Sequence, residues 1–418
     1  MKSLKTIGLS LLGMISLTTY AQEFDVNLQL RPRYEYRNGF KSLMPYGENS
    51  TSFVSQRSRL NFNFKQEKLT AKLNFQNVRT WGDVATTAQA DKNGVALFEA
   101  WAQYDFNAKW NARLGRQVIS YDNQRIFGEI DWAQQGQSHD AAVFSFHPKN
   151  HQLDLGVAFN AAAENLVEPA TPYTINYKSM QYVWYHTQFS KLNMSLLLLN
   201  TGYEYAEPDT SLTVDYKQTF GTYLSYKENK WDTNLGLYGQ SGKSNDNSVN
   251  TWYAGANLGY AITSKFKATL GYEFLSGKDQ DDSSADIKSF SPIFGTNHGF
   301  NGFMDYFYVG NHQNSVGLHD AYLKLNYTQN KWQFNLIPHM FCAPGTVLDG
   351  AEKMDSYLGT EIDFTTSYTL QKDIVASAGY SQMFGSKTLE ILKNGDANHT
   401  NNWVWLMVSV SPRIFTLK

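Results

Sequence analysis

From Phe24 to Tyr36 apolar and polar residues alternate without a break. Phe24, Val26, Leu28, Leu30, Pro32, Tyr34 and Tyr36 share one face; Asp25, Asn27, Gln29, Arg31, Arg33 and Glu35 share the other. A period of two over this length predicts a strand with one apolar and one watered face. The pattern returns at 52–64, where Leu60, Phe62 and Phe64 oppose Arg57, Arg59, Asn61 and Asn63. It returns again at 95–106, where Phe98, Ala100, Ala102, Tyr104 and Phe106 oppose Glu99, Trp101 and Gln103.

Two kinds of connection separate such segments. Short polar turns fall near 66–68, 107–109, 148–151, 190–191, 228–230, 263–265, 329–331 and 371–373. Several put a Lys at the tip and an aromatic straight after, as in Lys109-Trp110, Lys230-Trp231 and Lys331-Trp332. Longer stretches rich in Gly, Asn, Asp and Ser cover 38–51, 82–94, 120–138, 164–179, 204–215, 241–248, 278–315, 344–352 and 385–400. Short and long connections alternate, which predicts about 18 antiparallel strands, with 16 as the neighbouring even count. Short turns at one end and long loops at the other define an all-β, transmembrane, antiparallel up-and-down β-barrel. A soluble sandwich fits less well, because strands of ~12 residues exceed the usual globular length.

The first residues match a protein that must reach an outer membrane. Lys2 and Lys5 precede an apolar run from Ile7 to Leu17, and small residues follow at Thr19 and Ala21. This is the three-part pattern of a cleaved secretory signal over 1–21, leaving 22–418 as a single barrel. The apolar run is shorter than the ~18 residues of a spanning helix. Mean hydropathy is −0.45, a value that barrel strands also give because lipid-facing and water-facing residues cancel. The 26 Tyr, 26 Phe and 10 Trp suit aromatic girdles. Cys342 is the only cysteine, so an intrachain disulfide and a Cys-based zinc site are excluded.

Net charge is −2, which predicts no nucleic-acid partner, but the arginines are unevenly spread. Nine of ten lie before residue 126: Arg31, Arg33, Arg37, Arg57, Arg59, Arg79, Arg113, Arg116 and Arg125. Arg31, Arg33, Arg57, Arg59 and Arg113 oppose the apolar stripe and so face the lumen. An arginine facing lipid near the midplane would cost roughly 2–4 kcal/mol. Arg116 breaks the phase, and needs a bulge after Gly115 to face inward. Arg79 and Arg125 complete the candidate pore-lining, anion-binding set. Glu35, Glu99, Asp131 and Asp140 are candidate acidic partners on the pore wall, with Asp25 and Asp154 as further ones. The arrangement reads equally as a stiffening salt-bridge ladder and as an anion path.

The stretch Leu114-Gly115-Arg116-Gln117, Tyr121-Asp122-Asn123-Gln124-Arg125, Asp131-Trp132 and Asp140-Ala141, with Phe300-Asn301-Gly302-Phe303-Met304-Asp305-Tyr306-Phe307 downstream, resembles the alginate-export family of outer-membrane porins. The resemblance implies an 18-stranded barrel with an arginine-rich pore passing an acidic uronate polysaccharide by diffusion. It assigns Arg116, Arg125 and Asp131 to the family's charged motif, and Arg31, Arg33, Arg57 and Arg59 to its basic inner wall. Two departures bear on alginate itself: no arginine follows Arg125 until Arg413, and the turn at 329–331 is tight.

Segment 278–315 starts acidic and ends aromatic. Loops this long are usually functional, and inward folding would make Phe300, Phe303, Asp305 and Tyr306 a constriction. No HExxH, nucleophile elbow or phosphate-binding Gly loop appears, so neither cofactor nor metal is expected and transport is favoured over catalysis. The expected surroundings are an outer-membrane bilayer and an anionic saccharide as passing solute. A charge-indifferent small-solute porin and a plugged structural or adhesive barrel are the alternatives.

Overall fold

The computed structural model describes residues 22–207, 211–312 and 314–417; the expected signal segment lies outside them. The strands are β1 (Gln22–Asn38), β2 (Thr51–Gln66), β3 (Leu69–Thr80), β4 (Ala96–Asp105), β5 (Trp110–Gln117) and β6 (His139–Phe146). They continue as β7 (His151–Phe159), β8 (Ser179–Phe189), β9 (Leu192–Ala206), β10 (Leu212–Glu228), β11 (Trp231–Ser244) and β12 (Asn247–Ala261). The last are β13 (Phe266–Leu275), β14 (Leu318–Gln329), β15 (Trp332–Cys342), β16 (Tyr357–Gln371), β17 (Ile374–Gly385) and β18. β18 runs as Asn401–Val410 and, beyond Ser411-Pro412, Arg413–Leu417. Each strand pairs antiparallel with the next, and both segments of β18 pair with β1. The result is a closed barrel of 18 strands, with no edge left to recruit another chain. Among the described residues no helix is long and apolar enough to cross a membrane; the strands do so.

The alternation sorts side chains by solvent. Leu73, Phe75, Leu114, Phe144, Val157, Leu198, Leu237, Leu270, Phe364 and Leu406 are exposed on the outer surface, where lipid replaces water as their surroundings. At the short-turn end, Trp110 pairs with Phe146, Trp231 with Tyr260 and Trp332 with Tyr368, with ring centroids 4.0, 4.5 and 4.6 Å apart. These pairs form part of an interfacial girdle.

All eight short turns fall where expected. Two of the long loops do not. β9 continues to Ala206 and β10 starts at Leu212, so 204–215 is mostly strand. β11 and β12 meet at the two-residue turn Asn245–Asp246, with φ of 49° and 61°. Asn and Asp tolerate positive φ, which a tight hairpin needs, so their polarity there marks a turn rather than a long loop. One strand face also differs. The β3–β4 register slips so that Asn74 faces Glu99 while Phe75 faces Leu97. Phe98 is the extra residue, and the bulge turns it inward.

Three long loops concern the lumen: L1 (39–50), L3 (118–138) and L7 (276–317). Within it their residues Phe127, Phe294, Met304, Tyr306 and Phe307 are buried in one core with wall residues such as Trp403 of β18.

Candidate functional site

The inner wall of β1 and β2 carries the arginine group. Arg31 and Arg57 are direct cross-strand partners, and Arg59 stands opposite Gln29. Like charges so placed repel, and L3 supplies what holds them. Asp131 Oδ1 accepts from Arg57 Nη2 at 2.7 Å and Asp131 Oδ2 from Arg31 Nη1 at 3.2 Å; Arg59 Nη1 is 4.0 Å from Oδ1. Backbone carbonyls of L3 accept from several of the other guanidinium N–H groups. Trp132 O accepts from Arg33 at 2.8 Å, Trp132 O and Ala133 O from Arg31 at 3.2 Å, and Gln135 O from Arg59 at 3.2 Å. Arg31 Nε donates to Gln134 and Arg59 Nε to Gln76. The rings of Trp132 and Phe98 cover the Arg33 and Arg59 guanidiniums at 4.1 and 3.7 Å.

This explains why residues with such hydrated heads are almost wholly buried. L3 is laid across the arginines, and its carbonyls and one carboxylate replace water. Burial alone would raise the Asp131 carboxyl; the Arg57 and Arg31 guanidiniums outweigh it and hold it below the ordinary value. Glu35 is the second counter-charge. It accepts from Arg33 and Arg37 at 2.9 and 2.8 Å and from Trp403 Nε1 at 3.1 Å.

The other end of L3 crosses the lumen. Arg125 meets Glu273 of β13 at 3.0 Å and donates to Asn301 of L7 at 2.8 Å. Tyr253 and Phe300 lie 4.9 and 4.5 Å from its guanidinium. L3 and L7 are joined by main chain: Gly128 N to Phe294 O and Thr296 N to Gln124 O, each 2.9 Å. A Cβ at Gly128 would stand 2.2 Å from Thr296 Oγ1, so only glycine permits this approach.

L7 docks in turn on acids of the far wall. Phe303 N donates to Asp363 at 3.2 Å and Met304 N to Glu361 at 2.8 Å, both on β16. Asn301 Nδ2 donates to Glu273 and to Asp320, whose other oxygen meets His339 Nδ1 at 2.8 Å.

Several sequence-derived sites lie elsewhere. The register through β5 runs unbroken, so no bulge turns Arg116 inward. It stays on the outer surface beside Leu114 and pairs with Asp140, likewise outward, at 2.7 Å. Arg79 is cross-strand to Gln56 on the outward face of β3 and reaches Asp83 and Asp91 of the 81–95 loop at 3.8 and 3.4 Å. Neither arginine lines the pore. Substituting Arg116 by Ala should therefore leave open-channel conductance unchanged, which single-channel recording checks.

Arg113 does face inward, fixed by Gln103 Oε1 at 2.9 Å and stacked 4.4 Å from Trp101. Glu99 pairs with Lys72 rather than with an arginine. Asp25 lies 3.7 Å from Arg413, and Asp154 accepts from Tyr121 at 2.9 Å. Phe300 and Phe303 border an inner chamber. Asp305 and Tyr306 are instead packed away, Asp305 against His298 at 2.9 Å and Tyr306 donating to Gly39 O of L1 at 2.6 Å. Gln76, Gln134, Glu273, Glu361 and Asp363 belong to the site and escaped sequence reading.

A lumen narrowed by inward loops and lined with polar side chains defines an outer-membrane porin. The known folds agree. Three crystal structures of Pseudomonas aeruginosa outer-membrane proteins are similar: OccK9 (OpdG), with TM-score 0.64 and 12% identity over 94% of this chain and 98% of that one; OpdL, with 0.63 and 10% over 94% and 99%; and OpdK, with 0.62 and 13% over 93% and 99%. No curated protein matches the chain by sequence. The family model for alginate export matches residues 22–390, and the chain belongs to that family.

Proposed function

We propose that the protein is a passive outer-membrane pore for anionic solutes, acidic sugars foremost, and not an enzyme. The observation that carries this reading is the charge balance at the β1–β2 wall. Arg31, Arg33, Arg37, Arg57 and Arg59 face Glu35 and Asp131; the further carboxylates acting on Arg59 are exposed Glu129 and Glu99, and Glu99 is itself paired with Lys72. At least two positive charges stay uncompensated, and arginine-rich constrictions favour anions. Glu361, Asp363 and Asp320 on the other wall are covered by L7, which bonds to all three.

A second reading has one observation in its favour. The guanidiniums of Arg31, Arg33, Arg57 and Arg59 are all bonded to L3 or the wall, so they cannot grip a solute unless L3 moves. A charge-indifferent small-solute pore follows if the ladder serves only to hold L3. Reversal potential in a planar bilayer under a salt gradient separates the two: an anion-favouring value is expected, and a value at the bulk mobility ratio rejects anion selectivity. A channel that never conducts would instead make the barrel a plugged one.

A further inference from the structure

Beneath residues 299–303 of L7, the inner walls of β11–β15 enclose a chamber of about 310 Å³. We propose that this chamber is a binding subsite for a small ring-shaped carboxylate, a sugar acid of one or two residues, with Lys324 as its anion receptor. The proposal rests on the anion-pore reading for the charge of the ligand; its size and shape come from the chamber.

Lys324 is the unmatched charge. It is half-buried on the inward face of β14 and makes no hydrogen bond or ion pair among the described residues, while the like charge of Lys267 acts on it. The other ionised groups lining the chamber are paired. Lys267 meets Asp232 at 2.6 Å, Glu273 meets Arg125 at 3.0 Å and His339 meets Asp320 at 2.8 Å. Asp320, Glu361 and Asp363 stand behind His339 and Asn301 and do not border the space. Lys324 is thus the one cation bordering the space without a carboxylate partner among the described residues, and a ligand carboxylate would supply one.

The remaining lining suits a hydroxylated ring. Asn257 Nδ2 donates to Asn234 Oδ1 at 2.9 Å and its side chain also bonds the Tyr322 hydroxyl, which leaves the amide N–H groups of Asn234 to meet hydroxyl oxygens. Tyr322 lies flat on the wall over its cross-strand partner Gly271, where a Cβ would stand 2.0 Å from Tyr322 Cζ. The wall is therefore shaped around an aromatic face, and Phe300 and Phe303 border the chamber from L7. Aromatic surfaces receive the C–H face of a sugar, amides its hydroxyls and the ammonium its carboxylate. The volume is at the low end for small-molecule sites, which suits one or two rings.

The test uses the full barrel in a planar bilayer, with D-glucuronate or D-glucose added at the short-turn side. Glucuronate should reduce the open current saturably and glucose should not. Lys324→Met should raise the half-blocking concentration about tenfold, and Lys324→Arg should stay within about threefold of wild type. Heat-modifiable gel mobility identifies folded barrels, and the glucuronate–glucose comparison on the native protein needs no variant. Equal block by glucose, or block unchanged in folded Lys324→Met, overturns the subsite. Reversal potential on the same channels tells the two proposals apart. Anion selectivity without glucuronate block rejects the subsite alone; Lys324-dependent block without selectivity supports the subsite and rejects the anion pore.

Discussion

Replacing Asp131 by Asn should release L3 from the β1–β2 wall. The neutral amide keeps the shape of the side chain but removes the one charge that Arg31 and Arg57 share, and to which Arg59 is also drawn. Arg31 and Arg57 are cross-strand partners whose mutual repulsion then has only carbonyl dipoles set against it. Breaking a buried charge pair costs 3–5 kcal/mol. The Asp131 side chain is half exposed, 51%, so a loss of about 3 kcal/mol in L3 docking is expected. Amide hydrogen exchange and proteolysis within 118–138 should rise while the strands stay protected. Single-channel conductance should increase as the lumen widens. Unchanged protection would mean that the carbonyl contacts alone hold the loop.

Acid should act in the same direction on the native chain. The docked Asp131 carboxyl titrates below its ordinary value, so its contribution is fully present above that value, near pH ~4, and is lost as pH falls below it. L3 protection should be flat from neutral pH down to ~pH 4 and decline below that. Hydrogen exchange measured in steps between pH ~5 and ~3 checks this, with Asp131→Asn as the variant in which the step should vanish.

How much of this could be read along the chain follows from the range of the interactions. Period-two alternation and turn chemistry are local, so the strands, the eight short turns and the inward face of Arg31, Arg33, Arg57 and Arg59 were legible. Phe98 departs from the alternation because one extra residue in β4 resets the phase, and nothing in Leu97-Phe98-Glu99 marks a bulge. Arg116 went the other way: an inward position seemed cheaper for a charge, but Asp140 across the strand satisfies it outside. Asn245-Asp246 read as loop because polar residues serve both loops and tight turns. What the arginines do was beyond reach. Their partners come from 131–135, about 75–100 residues away, and no spacing rule links a wall arginine to a carbonyl on an inserted loop. Lys324 carried no signal either, since its significance is the absence of a partner in three dimensions.

Arg125→Ala should have the other large effect, at the opposite wall. Arg125 and Glu273 have side-chain exposures of 1% and 6%, so truncation leaves a carboxylate buried without its cation. Asn301 would lose the donor of its amide oxygen while its Nδ2 still faces Glu273 and Asp320. The expected loss is about 3–5 kcal/mol, shared between L3, which carries Arg125, and L7, which meets it through Asn301 and the 124–128 main chain. Protection should therefore fall in both loops together, unlike Asp131→Asn, which acts first on 131–135. Glu273→Gln added to Arg125→Ala should recover much of the loss, because the stranded charge rather than the missing contact is the main penalty. A double variant no more stable than Arg125→Ala would show instead that the stacking of Arg125 on Tyr253 and Phe300 holds the two loops together.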